Sequence, residues 1–333
     1  MAEMTHRERI RATLTGQPVD RPAISLWHHF PGQDETPRGL ADATVRFQRR
    51  YDLDLVKLMP TGMYPAIDYG VAVRPSNDEI GTTRFAAGPI HNSSDWARLA
   101  AVSPARGTLA REVDVIGLVR AALGRDAVVI QTIFGPLTIA AKVAGTAEAV
   151  AQAAGQDDAA LREGLVRISD DVIAFGRACL DAGADGFFFA TQLASRPVLP
   201  DGMYRRLGVP YDLRVLNALR EGAWCTMIHL HGPDPMFELA DEYPVDAVNW
   251  HDRETRPSLA DALRLTRRVL VAGIARRGAI VTGTPEDAAA EVRDAVVQTS
   301  GARLIVAPGC VIPYRAPEEN LLAARQAVAN AGT

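Results

Sequence analysis

The chain has 333 residues, of which 47% are hydrophobic and 23% charged, a composition typical of globular proteins. Its formal net charge of −4 and the lack of a long Lys/Arg run argue against nucleic acid or an anionic membrane surface as a partner. Residues 1–11 are polar and charged and no apolar run has the length of a membrane span, so we expect a cytoplasmic protein without a membrane segment.

Eight short, mostly apolar runs alternate with longer segments of helical pattern. The runs are 23–27, 53–59, 127–133, 185–189, 224–230, 246–250, 269–274 and 303–307. The amphipathic segments include 158–182, 202–221, 258–268 and 285–299. Continuous apolar runs are typical of parallel strands covered on both faces. Eight such βα units predict an α/β fold, a single (β/α)8 TIM barrel with an N-terminal helix.

The stretch 60–92 does not fit this repeat. Gly, Pro, Asp and Asn are scattered there among short β-like pieces at 71–74 and 83–85. We therefore predict a hairpin-like insertion after the second strand that leans over one end of the barrel. The chain has no internal repeat, low-complexity tract or linker, so we expect residues 1–333 to form one domain.

One helix start carries a specific signal. Thr284 is followed by Pro285, and a threonine cap before a proline in the first turn is typical of a helix that begins at 285. This start falls in the connection before the last predicted strand, as the barrel repeat requires.

Polar residues gather where the predicted strands end. Barrel enzymes build their active sites at these carboxyl ends. Five of the seven histidines and one of the three cysteines fall there: His28, His29, His229, His231, His251 and Cys310. Chance placement would scatter them over the chain, so this end is the predicted site.

His229 and His231 end the fifth run, in the sequence MIHLHGPDP. Residues two apart in a strand point to the same face, so both imidazoles aim at one point. Neutral imidazole is the commonest protein ligand for metals, although two unrelated polar residues at the wet end of a strand have the same spacing.

Several neighbours are predicted to contact the substrate. His28 and His29 are adjacent, so at most one of them is expected to point into the barrel mouth. Arg276 and Arg277 follow the seventh run, where an arginine is a natural anchor for a carboxylate or phosphate of the substrate; plain surface charge is the competing interpretation. Trp250, at the end of the sixth run, is assigned to the same group.

His251 and Asp252 follow the sixth run in the charged loop HDRET. They are candidate proton acceptors in catalysis, and a solvated imidazole is the competing interpretation of His251. Both interpretations stay open on the residues alone.

Cys310 is the one cysteine predicted to be chemically active. None of the three cysteines forms a CxxC pair, and Cys179 and Cys225 are interpreted as buried core residues. Cys310 lies in the loop APGC, where Gly309 allows a sharp turn and Pro308 stiffens the chain. Two imidazoles and one thiolate form a three-ligand set typical of catalytic zinc, with the fourth position open; copper, nickel, cobalt or iron would also be accepted.

The chain resembles the uroporphyrinogen decarboxylase superfamily over almost its whole length. The matching segments are RERIRATLTGQPVDRP at 7–22, FGPLTIAAKVAG at 134–145, DAGADGFFF at 181–189, HLHGPDPMFELADEYPVDAVNW at 229–250, GTPEDAAAEV at 283–292 and APGCVIPYRAPEENLLAARQAV at 307–328. The resemblance implies a (β/α)8 barrel, and it suggests a homodimer.

The resemblance favours the methyltransferase branch of that superfamily over the decarboxylases. The decarboxylases carry an arginine-rich stretch after the first strand, where this chain has WHHFPGQ, and an aspartate after the second, where Asp68 is displaced. The methylcobamide:coenzyme M branch binds zinc through a His-x-Cys pair and a late cysteine. Those positions correspond to His229, His231 and Cys310, with His231 in place of a cysteine; the change keeps a ligand and leaves the zinc more positive.

The resemblance therefore implies zinc-dependent transfer of a methyl or alkyl group. The acceptor would be a thiol or other soft nucleophile held at the metal, and a corrinoid is a candidate carrier of the methyl group. Two alternatives stay open: a hydrolase or lyase that uses a metal-bound water, with His251 or Asp252 as the proton acceptor, and a decarboxylase of a small acid.

Overall fold

Eight parallel strands form a nearly closed barrel in the computed structural model, which describes residues 2–76, 78–156 and 158–331. The strands of the chain are β1 (Ala23–Ile24), β2 (Leu55–Lys57), β3 (Ala72–Pro75), β4 (Thr83–Ala87), β5 (Val128–Phe134), β6 (Gly186–Thr191), β7 (Cys225–Leu230), β8 (Ala247–Trp250), β9 (Val269–Ile274) and β10 (Leu304–Pro308). The barrel order is β1-β10-β9-β8-β7-β6-β5-β2. Each of the eight predicted runs overlaps one barrel strand, so the predicted barrel is confirmed.

The helices surround this barrel. They are α1 (His6–Thr15), α2 (Pro37–Tyr51), α3 (Tyr64–Ile67), α4 (Gly107–Leu123), α5 (Pro136–Ala144), α6 (Ala147–Gln156), α7 (Asp158–Asp181), α8 (Asp201–Leu207), α9 (Val209–Leu219), α10 (Leu239–Glu242), α11 (Leu259–Leu265), α12 (Ala279–Thr282), α13 (Pro285–Thr299) and α14 (Glu318–Asn330), with a short 3-10 helix at Ser93–Arg98. In the part of the chain that the structure describes, no helix is long and apolar enough to cross a membrane.

Proline positions explain where two of the helices begin. The predicted start at Pro285 is confirmed, because the Thr284 side chain accepts a hydrogen bond from the Asp287 N–H in a capping box. The amphipathic segment 202–221 forms two helices, α8 and α9, with Gly208 between them. Pro210 has no N–H to continue the hydrogen-bond ladder, so the helix is interrupted there.

The insertion after β2 is the predicted hairpin. Strands β3 and β4 pair antiparallel, with a register irregularity between Ala72 and Val73. Arg74, Arg84 and Phe85 of this hairpin line the cavity at the carboxyl end of the barrel. The hairpin therefore covers part of the mouth.

Three aspartates link neighbouring strands at the opposite, amino-terminal end. Asp54, Asp185 and Asp246 stand directly before β2, β6 and β8. The carboxylates accept hydrogen bonds from the backbone N–H groups of Ile24, Val129 and Thr226 at 2.9, 2.9 and 2.8 Å. The N–H of each aspartate donates to the carbonyl of that same neighbouring residue. Each aspartate therefore makes two hydrogen bonds to one residue of the adjacent strand, which we call a two-point link.

Asp54 also interacts with three basic side chains at this end of the barrel. Its carboxylate pairs with Arg9 at 2.6 Å, Arg21 at 2.7 Å and His6 at 3.0 Å. Burial alone would raise the pKa of Asp54, but the hydrogen bonds and charges of these partners outweigh it and lower the pKa to about 2. Helix α1, which supplies Arg9 and His6, is thereby tied to the closing pair of strands.

Replacing Asp54 with alanine should lower the free energy of unfolding by about 3–5 kcal/mol at neutral pH, because Arg9 then loses its fully buried partner. The carboxylate contributes above about pH 4, and its contribution is lost as the pH falls towards 2, since its pKa is lower in the folded state than in the unfolded state. Urea denaturation of the two proteins from pH 7 downwards measures this difference.

The control is Asp42→Ala, which removes an exposed carboxylate 3.7 Å from Arg38. This change should alter the free energy of unfolding by less than about 0.5 kcal/mol. An Asp54→Ala effect as small as that of the control would contradict the assignment.

Candidate metal centre

Four side chains with metal-binding atoms meet at the carboxyl ends of β7, β8 and β10. They are His229, His231, His251 and Cys310, and their ligand atoms all lie within 4.8 Å of one another. His229 is the last inward residue of β7, and His251 directly follows β8. The structure therefore brings together the three residues predicted as ligands and adds His251 as a fourth.

His231 lies at the centre of this cluster. Its Nδ1 is 3.3 Å from Nε2 of His229, 3.3 Å from Nε2 of His251 and 3.6 Å from Sγ of Cys310. His231 thus presents Nδ1 to the cluster, whereas His229 and His251 present Nε2. The predicted convergence of residues 229 and 231 follows from their two-residue spacing.

Asn249 orients His229. The Asn249 amide nitrogen donates to the carbonyls of Val271 at 2.6 Å and Pro308 at 3.1 Å, so its oxygen points the other way. That oxygen accepts a hydrogen bond from Nδ1 of His229 at 2.6 Å. With its proton on Nδ1, the imidazole presents the Nε2 lone pair to the cluster, as a metal ligand must.

Glu254 has the equivalent position behind His251. Its carboxylate is 3.4 Å from Nδ1 of His251 and 3.1 Å from Nε of Arg276. A carboxylate behind a histidine is a common outer partner of metal ligands, because it fixes the ring and raises its basicity. His251 is 5% exposed, so it is not the solvated loop imidazole that was the competing interpretation.

Cys310 reaches the cluster because its loop passes very close to β8. A side chain at Gly309 would place its Cβ 2.7 Å from the Trp250 carbonyl oxygen and 2.9 Å from Cα of His251. Only glycine fits that contact, so Gly309 fixes how near Cys310 comes to the histidines.

The protonation states suit metal binding. Burial would raise the pKa of the Cys310 thiol, but the surrounding imidazoles outweigh it and hold the pKa well below its usual range. Burial lowers the pKa of His229 to about 4, with the other two imidazoles acting in the same direction. A thiolate and imidazole nitrogens are the donors that zinc and similar divalent metals bind, so these residues fit such an ion.

The cluster opens into a cavity of about 760 Å³. Of the residues predicted to contact substrate, His29, Arg276 and Arg277 line it. His28 does not line it: its ring packs on Phe30 and Phe47. The prediction that at most one of the adjacent pair faces the mouth agrees with this placement.

Trp250 and Asp252 also lie outside the lining of the cavity. Trp250 is fully buried, and its indole N–H donates to the carbonyl of Pro257 at 2.8 Å. Asp252 accepts a hydrogen bond from the Gly273 N–H at 3.1 Å, and burial raises its pKa to about 7. Neither position offers the contact with substrate or proton on which its predicted role depends.

Two lysines are the main residues that the sequence analysis missed. Lys57 lies inside the mouth, with Nζ 4.4 Å from the ring centroid of Phe188 and 5.3 Å from that of Trp27. Lys142 on α5 faces the same cavity above the ring of Phe134. A charged residue inside the apolar run LDLVKLM was the available signal for Lys57.

A family profile described as uroporphyrinogen decarboxylase (URO-D) matches residues 5–331. Methylcobamide:CoM methyltransferase MtbA of Methanosarcina acetivorans is 21% identical over 342 residues, which are 96% of each chain. Methylcobamide:CoM methyltransferase MtaA of Methanosarcina barkeri is 24% identical over 345 residues, 97% of each chain. A solved methyltransferase from Methanosarcina mazei has a TM-score of 0.84 at 19% identity, with 98% of this chain and 99% of that chain covered, which bears on the fold alone.

Replacing His231 with alanine should abolish metal binding, because His231 Nδ1 is the atom that the other three donors surround. We expect near-stoichiometric metal in the parent protein purified without chelator or affinity-tag metal, measured by elemental analysis. His28→Ala, which removes an imidazole outside the cluster, should keep the metal. A folded parent protein that takes up no divalent metal would contradict the prediction.

Replacing Asn249 with leucine should lower the affinity for the metal by about 10- to 100-fold, because His229 loses the partner that fixes its tautomer. Competition with a chromophoric chelator measures the affinity. The matched control is Asn320→Leu, which removes another buried amide, one that bonds the carbonyls of Ala279 and Gly283 instead. Equal losses in both variants would mean that the effect is one of general stability.

Proposed function

Because the chain belongs to the uroporphyrinogen decarboxylase (URO-D) family, we propose that it is a metal-dependent methyl- or alkyltransferase of that family. The relatives described as methylcobamide:CoM methyltransferases align over 96–97% of both chains, which supports this activity within the family. The acceptor is a thiol or other soft nucleophile, and the donor is a methyl group carried by a corrinoid. Zinc is the proposed metal.

The observation that carries the proposal is the cluster of His229, His231 and Cys310 at the cavity wall. These residues would hold the metal, and Asn249 and Gly309 keep His229 and Cys310 in place. When bound, the ion supplies the Lewis acidity that keeps an acceptor thiol deprotonated at neutral pH.

In this proposal the metal takes His229, His231 and Cys310 as its ligands, which leaves Nε2 of His251 free as the proton acceptor for the incoming thiol. Its Nε2 faces the same point as the other donors, and Glu254 stabilises the imidazolium that forms when the S–H proton moves to Nε2. Asp252, predicted as a second acceptor, has a different proposed role. Its hydrogen bond to Gly273 positions the loop that carries His251.

The cavity does not suit uroporphyrinogen decarboxylation. In the part of the chain that the structure describes, no Asp or Glu lines the cavity, so no carboxylate is there to hold the pyrrole nitrogens. Asp68, the displaced aspartate of the sequence, accepts hydrogen bonds from the N–H groups of Thr108 and Leu109 at the start of α4. Its carboxylate caps a helix instead.

A decarboxylase of a smaller acid is the second candidate, because the cavity wall is rich in cations. CO₂ release from a panel of small acids would identify it. The homodimer implied by the family resemblance stays a prediction.

Adding a thiol to the zinc-loaded protein should add a sulfur ligand in the zinc X-ray absorption spectrum. In the presence of methylcobalamin, the same thiol should cause the absorbance of the methylated corrinoid to decay. Cys310→Ala should lose both signals, since a cluster donor is removed. Cys225→Ala, which removes a fully buried cysteine at the start of β7, is the matched control and should keep both. Recruitment of oxygen ligands alone after thiol addition would overturn the proposal.

A further inference from the structure

The cavity wall is rich in basic side chains. Six cationic side chains line it: Lys57, Arg74, Arg84, Lys142, Arg276 and Arg277. No carboxylate lines it among the described residues. The chain as a whole has four more acidic than basic residues, so this wall does not reflect the average charge of the protein.

Half of these cations already have partners. Arg84 pairs with Asp78, Arg276 with Glu254 and Arg277 with Glu79. Lys57, Arg74 and Lys142 form no ion pair with any residue that the structure describes.

Lys57 and Lys142 are also the only two lysines in the chain. Because Lys and Arg together number 36, the other 34 basic residues are arginine. A sequence that uses arginine at every other basic position keeps lysine at two places, and both face this cavity. Lysine differs from arginine in carrying a compact charge that can lose its proton when buried.

The two lysines have different surroundings. Burial lowers the pKa of Lys57 to about 7, against an opposing effect of the Cys310 thiolate, so Lys57 lies within electrostatic range of the metal cluster. Lys142 lies with Nζ 4.5 Å from the ring centroid of Phe134, and burial together with the charge of Arg84 lowers its pKa to about 8. On the hairpin side of the cavity, Lys142 and Arg74 are thus the basic residues that have no ion-pair partner among the described residues.

The strand order places Lys142 away from the strands whose ends carry the metal cluster. In the barrel order, β5 lies two positions from β7, which carries His229, and three from β8, whose end carries His251. Helix α5, which carries Lys142, directly follows β5. The apolar side chains that line the cavity include Met59, Met63, Phe85, Phe134 and Phe188.

We propose that Lys142, with Arg74 of the hairpin, forms an anion subsite that binds the acidic end of the substrate. The substrate class is an organic acid, a carboxylate, sulfonate or phosphate, with an aryl or alkyl body that packs on the phenylalanines and a second end that reaches the metal cluster. The identity of that second end rests on the proposed function. The anion subsite itself needs no metal.

The test is a calorimetric titration with probes of matched size. The probes are 3-phenylpropanoate, 2-phenylethanesulfonate, phenyl phosphate and the neutral 3-phenylpropanamide, and inorganic phosphate tests whether the anion alone suffices. The acids should bind and the amide should not. Lys142→Met should weaken acid binding by about 10- to 100-fold, the usual effect of removing a hydrogen bond to a charged group. Arg38→Met, which removes an exposed cation on α2, should leave it unchanged.

A second measurement uses the fact that the chain has only two lysines. Acetylation of primary amines, followed by mass spectrometry, reports on Lys57, Lys142 and the chain terminus alone. Bound 3-phenylpropanoate should slow acetylation of Lys142 in the unaltered protein, so this result does not depend on how well a variant folds. Equal binding of acid and amide, or no protection of Lys142, would overturn the proposal.

Metal content separates this proposal from the proposed function. Lys142→Met should keep the metal content of the parent protein, since Lys142 is no part of the cluster. A protein that binds acids through Lys142 but takes up no metal would keep the subsite and remove the transferase proposal. A protein that takes up metal but does not discriminate acid from amide would do the reverse.

Discussion

The two-point links made by Asp54, Asp185 and Asp246 are the constraint on which the rest of the barrel depends. Each aspartate both donates its N–H to a residue of the adjacent strand and accepts that residue's N–H through its carboxylate. A strand that slips by one residue breaks both bonds and reverses which side chains face inward. Register is therefore set at the amino-terminal end of the barrel, where the buried charges of α1 also lie.

The effect of these links is felt at the other end of the same strands. Three residues after Asp54, Asp185 and Asp246 come Lys57, Phe188 and Asn249. Lys57 and Phe188 line the cavity, the Phe188 ring stacks on His229, and Asn249 bonds His229. A slip of β8 by one position would put Val248 or Trp250 opposite His229, and the imidazole would lose the acceptor that selects its tautomer. The aspartate links at the amino-terminal end of the barrel thus determine how His229 and its neighbours are placed at the carboxyl end.

The sequence was sufficient to predict the barrel, the hairpin and the meeting of His229, His231 and Cys310. Period-two spacing and the common direction of parallel strands carry that information locally. It was not sufficient for Asn249, whose role depends on register with a strand 20 residues earlier, or for the orientation of His251, which depends on the Glu254 carboxylate behind its ring. The break at Gly208 was missed because an amphipathic pattern continues through it, although Pro210 was the signal.

The choice of lysine in the cavity has a physical reason. A guanidinium keeps its proton in any environment, so an unpaired arginine buried in a carboxylate-free wall would bear the full cost of desolvation. A buried ammonium can give up its proton, as the lowered pKa values of Lys57 and Lys142 indicate. An anion that enters the cavity supplies the missing partner and favours the protonated form again. Lysine at these two positions therefore limits the cost of burying the cavity wall, and it would let the proposed anion subsite distinguish a charged ligand from a neutral one of the same shape.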